Sequence, residues 1–292
     1  MLSQPSILVA SDLSKSSDKA LEAAENLRKK SKGKIHVIHV TPYPEQWDWL
    51  TNDVVMNYYP ENFREQLING LNNQLSAQLE RCGVEGTSEI LMGPTVQTII
   101  KFTSEARADL LILGHKEKGG VLRLSGVAAK IMSSATIPVL IANKDFDVER
   151  VAGLIDPYRP EKKLFSVTEE FGYLCSGDVE FISVFPDDVN VVESSTHSYS
   201  VVRLTEEKKK EVKNKFEKAL KENADPRAEA KFRVETTNEG SAKKLVKILT
   251  EDRIDLAIMT KHQKGKIEKF FLGSVTKGVF DQWKGNLLIL PT

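Results

Sequence analysis

ADLLIL at residues 108–113 returns as IDLAIM at residues 254–259, the same kind of apolar run around an Asp, and the fold is read outward from that return. Upstream, VASD ending at Asp12 faces GLID ending at Asp156, and KIHVIHV ending at Val40 faces VEFISVF, which carries Val184. Downstream, IPVLIAN at 137–143 faces GNLLILP at 285–291. An offset that stays near 146 over separate segments is the mark of a duplicated domain rather than of two unrelated folds. Two domains are therefore expected, at 1–144 and 149–292. The polar stretch NKDFDVER at 143–150 joins them and is too short for independent motion, so the halves are expected to pack against each other.

Each half alternates short β-rich runs with longer amphipathic ones. In the first, strands are expected at 6–11, 35–41, 86–92, 109–114 and 137–142. Helices are expected at 15–31, 61–82, 94–107 and 125–135. Ala20, Ala23, Ala24 and Leu27 mark the first helix, with Ser14 as its N-cap, and Phe63, Leu67, Leu71, Leu75 and Leu79 recur every four residues in the second. The second half carries expected strands near 150–155, 180–185, 230–236, 255–260 and 286–290. Its helix at 205–223 is highly charged, with Val212, Phe216, Ala219 and Leu220 on one stripe, which reads as a solvated helix laid on a sheet. Strands alternating with helices imply an α/β fold with doubly wound parallel sheets.

Composition narrows the function. Lys plus Arg number 41 and Asp plus Glu 41, both halves are close to neutral, and the basic excess of a phosphate-binding nucleic-acid protein is missing. Cys82 and Cys175 lie far apart, without metal-site or disulfide spacing. No basic-then-apolar leader and no apolar run of membrane-spanning length occurs, so no membrane partner and a cytoplasmic location are expected. His36 and His39, read as sharing a face of strand two, offer a conceivable ligand pair, but no third ligand joins them, and a packing or pocket-lining role is favoured. No nucleophile elbow, P-loop or dinucleotide fingerprint is present. The chain is expected not to be an enzyme.

In open parallel sheets ligands bind beyond the carboxyl ends of the strands, which singles out Asp12, Val40 and the loop after strand four. That loop reads LGHKEKGGVLRLSGVAAKIM in the first half and MTKHQKGKIEKFFLGSVTKGVF in the second, each leading into a helix whose N–H groups could receive an anion. Asp at the end of strand one, His39-Val40 at the end of strand two, the Asp-apolar-Gly strand four, the Gly/Ser helix start and the Pro-Val-Leu strand five together resemble the universal stress protein family, twice over. The resemblance implies two five-stranded sheets of order 3-2-1-4-5 of the adenine nucleotide alpha hydrolase-like type, paired through their fifth strands as an intramolecular pseudo-dimer that could dimerise again. It implies a stress-response regulatory role through protein partners. It also implies ATP or AMP as candidate ligand where the motif Gly-x-x-Gly-x9-Gly-Ser/Thr is kept; slow ATPase activity is the alternative reading.

Carried over residue by residue, the candidates are Asp12, Val40, Gly114, His115, Ser125 and Gly126 in the first half. In the second they are Asp156, Val184, Thr260, Lys261, Gly273 and Ser274. Both motifs depart from the pattern. Glu117 stands at the second glycine position, and Ser125-Gly126 inverts the closing pair in a loop two residues short. Thr260 and Gln263 replace the first two glycines of the second half, and Pro157 follows Asp156. No cofactor is required by this reading. Asp12 either binds adenine or ribose or caps the turn near Ser14, and Gly273-Ser274 either holds a phosphate or caps a helix. Lys116, Lys118, Gly119, Gly120 and Arg123 could rebuild an anion site, and His115 and His262 are out of register. The aromatic stretch from Tyr43 to Tyr59, with Trp47 and Trp49, is read as packing, a lid or an interaction surface.

Overall fold

Apolar runs of strand length form strands here because each is flanked by an amphipathic segment able to cover it. In the computed structural model the described residues are 3–41, 63–114, 126–156, 159–193, 198–203, 205–225, 229–261 and 273–291, with side chains of 63–64, 188–193 and 198–203 left aside. The aromatic stretch at 43–59 and most of both strand-four loops, including His115, Glu117, Ser125, His262 and Gln263, lie outside them. The chain divides into two units, the first holding described residues up to Phe146 and the second those from Asp147.

The first unit runs β1 (Ser6–Ser11), α1 (Lys15–Ser31), β2 (Lys34–Thr41), α2 (Phe63–Cys82), β3 (Thr87–Met92), α3 (Thr95–Glu105), β4 (Leu110–Gly114), α4 (Val127–Ser134) and β5 (Val139–Ala142). Its strands are parallel in the order β3-β2-β1-β4-β5, the expected 3-2-1-4-5. β5 starts two residues later than read. Pro138 has no N–H to give a ladder, but its carbonyl accepts from Leu111 N at 3.0 Å. Ala20, Ala23, Ala24 and Leu27 are buried on α1, and Leu75 and Leu79 on α2, while Leu67 and Leu71 are only half-buried.

The second unit runs β6 (Arg150–Leu154), α5 (Lys162–Cys175), β7 (Asp178–Pro186), β8 (Asp188–Glu193), β9 (Ser198–Arg203), α6 (Glu206–Asn223), β10 (Lys231–Thr237), α7 (Ser241–Glu251), β11 (Leu256–Lys261), α8 (Ser274–Gln282) and β12 (Asn286–Pro291). Five strands are parallel in the order β10-β7-β6-β11-β12. On α6 the buried residues are Val212, Phe216, Ala219 and Leu220, the stripe read from the sequence. Four elements were not assigned from sequence. α5 hides its period behind aromatic and β-branched residues, α7 is short, and β8 and β9 form an antiparallel hairpin with no counterpart among the described residues of the first unit.

Backbone details repeat along with the strands. Lys32 and Ser176 both end a helix in the left-handed region (φ 56 and 54), and Arg107 and Arg253 do so before the fourth strand of each unit (φ 49 and 52). The Asp residues of the two quoted runs have one task. Ser6 N donates to Asp109 Oδ2 at 2.8 Å, and Glu149 N and Arg150 N donate to Asp255 Oδ2 at 3.0 Å each, so each carboxylate ties the start of its unit's first strand to the fourth. Such charge-assisted bonds satisfy main-chain donors that the sheet ladder leaves over.

Candidate functional site

In the first unit the start of α1 lies against the carboxyl ends of β1 and β4. Only three residues separate β1 from α1, so the helix begins against the sheet. Asp12 Oδ1 accepts from Ser14 N at 3.0 Å, from Ser17 Oγ at 2.8 Å and from Ser14 Oγ. Asp12 thus makes the turn that launches α1, the capping role weighed for it. Ser14 sits at the N-cap in extended conformation, but its hydroxyl bonds Asp12 and Ser16 and makes no side-chain cap, contrary to the expectation.

Gly114 closes the same corner. A Cβ built there would lie 2.0 Å from Ser16 O and 2.9 Å from Ser17 Cα, so glycine is required by the approach of α1 to the end of β4. Below the turn a polar network fills the space between α1 and α2. Ser11 Oγ donates to Gln78 Oε1 at 2.7 Å, Gln78 Nε2 donates to Asp18 Oδ1 at 2.6 Å, and Arg81 Nη2 reaches the same Asp18 oxygen at 2.7 Å. Gln78 is buried, and its bonds meet the satisfaction that a buried amide needs. Val40 is buried at the end of β2, and Gly126, φ 150, is the N-cap of α4. His115 and Ser125 fall outside the described residues.

His36 and His39 do not form a pair. Three residues apart on one strand, they lie on opposite faces. His36 Nδ1 lies 2.6 Å from Thr87 Oγ1 with its ring stacked on Phe102, whereas His39 Nδ1 lies 2.9 Å from the Ser11 carbonyl oxygen. Among the described residues no group of three or more His, Cys, Asp or Glu could hold a metal ion.

The second unit is built differently at the same place. Between β6 and α5 lie seven residues instead of three, and Thr260 stands where the first unit needs Gly114. The space becomes a cavity of about 270 Å³. Its lining includes Asp156, Val184, Thr260, Gly273 and Ser274, so five of the six second-half candidates meet there. Leu154, Ile155, Phe185, Leu245 and Met259 supply apolar wall. Ser183 Oγ, fully buried, donates to Ile155 O at 3.1 Å and holds the floor to β7.

Lys261 is the exception and corrects the sequence reading. Successive strand residues point to opposite faces, and Lys261, next to Thr260, does not line the cavity. It is almost wholly buried, and burial pushes its ammonium pKa down to about 8. Gly273 is the N-cap of α8 and Ser274 the first helical residue. Ser241, missed in the sequence, opens α7 behind Gly240, whose φ of 90 favours glycine. Two helix N-termini therefore border one cavity, each offering N–H groups and a positive dipole end. The signal for Ser241 was the Gly-Ser start after an expected strand, aligned with Pro94-Thr95 in the first half.

This geometry can receive a small ligand with an apolar body and hydroxyl or anionic groups, the polar contacts coming from Asp156, four hydroxyl side chains and main-chain N–H groups. No helix among the described residues is long and apolar enough to cross a membrane. The family model described as the universal stress protein family matches residues 5–143 and 176–291. A universal stress protein of Methanocaldococcus jannaschii is 29% identical over 139 residues, covering 44% of this chain and 77% of that protein. The universal stress protein YxiE of Bacillus subtilis is 27% identical over 144 residues, covering 46% and 96%. Among solved structures, one of a universal stress protein from Archaeoglobus fulgidus is similar with a TM-score of 0.67 at 17% identity, covering 99% of this chain and 98% of that one, a likeness of fold alone.

Proposed function

The chain belongs to the universal stress protein family, and from that premise we propose that it is a non-catalytic regulatory protein of the stress response whose second unit receives a small ligand while its first unit is a scaffold. The observation that carries this reading is the contrast at equivalent corners. Asp12 and Gly114 are engaged by the start of α1, whereas Asp156, Val184, Thr260, Gly273 and Ser274 surround a cavity. Among the described residues the cavity lining includes no nucleophile held by a base and no acid–base pair, which supports binding without turnover.

A second reading is favoured by the two helix N-termini beside that cavity: an adenine nucleotide, ATP or AMP, is bound there and ATP is slowly hydrolysed. One experiment separates the two. Purified protein is denatured and its released small molecules are chromatographed, ATP and AMP are titrated calorimetrically, and phosphate release is followed. Nucleotide binding weakened on the order of tenfold in Asp156→Ala and Ser274→Ala but unchanged in Asp12→Ala is expected for a site in the second unit. Phosphate release lost in the same two variants establishes the slow ATPase. Release equal in wild type and variants, beside intact binding, leaves the non-catalytic reading standing. Equal loss in Asp12→Ala overturns the assignment to the second unit.

A further inference from the structure

β10 is an edge strand: it pairs with β7 on one side and, among the described residues, with no strand on the other. Such edges are commonly covered, yet α6 stands off this one. A groove of about 830 Å³ lies between them, walled by Phe216 and Leu220 of α6 and by Phe232 and Val234 of β10. Phe232 is 53% exposed, one of few large apolar side chains so placed among the described residues.

The direction of the main-chain groups follows from one bond. Asp187 N donates to Thr237 O at 2.9 Å, so the carbonyl of Thr237 points inward to β7. In a parallel ladder the N–H and C=O of one residue point the same way and alternate along the strand. Phe232, Val234 and Thr236 therefore present theirs outward. An antiparallel pairing centred on Val234 sets Val234 against Val234, Phe232 against Thr236 and Arg233 against Glu235, and makes up to about six main-chain hydrogen bonds. The charges are self-complementary about the axis.

We propose that the outer edge of β10 is a homodimerisation surface, on which a second copy of this chain adds its own β10 antiparallel about a twofold axis at Val234. The pairing is isologous and closes at two copies. Arg233 and Glu235 are already oriented on the α7 face, Arg233 by Glu180 at 3.2 Å and Asp252 at 2.8 Å, Glu235 by Lys244 at 2.5 Å, with Arg233 and Glu235 themselves 3.9 Å apart. Each meets its opposite charge across the axis, and on the other face Phe232 packs over the partner strand.

The test is sedimentation velocity on the full chain over a concentration series up to about 200 µM, a range that detects weak dimers. A concentration-dependent dimer is expected. Val234→Pro, which removes an outward N–H and leaves both ion-pair groups in place, should raise the dissociation constant at least about tenfold. Arg233→Glu and Glu235→Arg should each lose the dimer by like-charge opposition, whereas an equimolar mixture of the two should form it, because Glu then faces Arg at both sites. Far-UV circular dichroism checks that each variant is folded, and Val234→Pro decides the matter should a charge variant not fold. A wild type that stays monomeric, a dimer indifferent to Val234→Pro, or a mixture of folded charge variants that does not pair overturns the proposal. So does mass that climbs past the dimer, which marks open-ended pairing of unlike edges.

Discussion

Gly114 and Lys261 show how single residues decide what each half can do. Because a Cβ at Gly114 would meet Ser16 O at 2.0 Å, Gly114→Ala must push α1 off β4. A loss on the order of 3 kcal/mol is expected, read as a lowered urea midpoint with unchanged slope. Lys261 acts through its charge. Its pKa is about 8 in the folded chain against the ordinary 10.5, so between those values the unfolded chain holds more protons, and stability rises with pH across that window. Below about pH 8 the full cost of burying the ammonium is present. Lys261→Met should raise stability at pH 7, on the order of 1–3 kcal/mol, and flatten the profile between pH 8 and 10.5. Urea titrations at several pH values check this, and a profile with the same slope in the variant would refute the assignment.

At the scale of elements, the distance between first strand and first helix separates the units. Three residues after β1 force α1 onto the sheet; seven after β6 leave space for a cavity. The elements shared by both units are tied alike, so the two Asp residues that begin the fourth-strand runs should respond alike. Asp109→Ala and Asp255→Ala are each expected to cost about 1–2 kcal/mol, with Asp255→Ala the costlier because two N–H groups lose their acceptor. Denaturant unfolding of both variants measures this, and a costlier Asp109→Ala would contradict it. Much at this scale was legible beforehand. Alternating runs marked the strands, and the stripe on α6 was read residue for residue, since period and burial are two views of one face. The β8–β9 hairpin and α5 were not legible, because the first has no counterpart among the described residues of the first unit and the second spreads aromatic residues over its period.

For the whole molecule, the repeat and its apolar period were enough to determine an α/β fold of parallel strands in each half, because burying apolar runs between amphipathic helices has few solutions and a duplicated pattern folds the same way twice; the strand order came from the resemblance to the universal stress protein family. The candidate residues could also be named, Asp12, Val40 and the loop after strand four from the strand-end rule and the rest from the family's motif. What only the tertiary structure decided is which of them meet. Asp12 and Asp156 read as equivalents, yet one is drawn into a helix start while the other borders a cavity, and Thr260 and Lys261, neighbours in the chain, part to opposite faces of a strand. Sequence sets which groups arrive at a corner; how closely a helix packs there, a matter of a few ångströms between non-neighbours, sets which of them the chain itself engages.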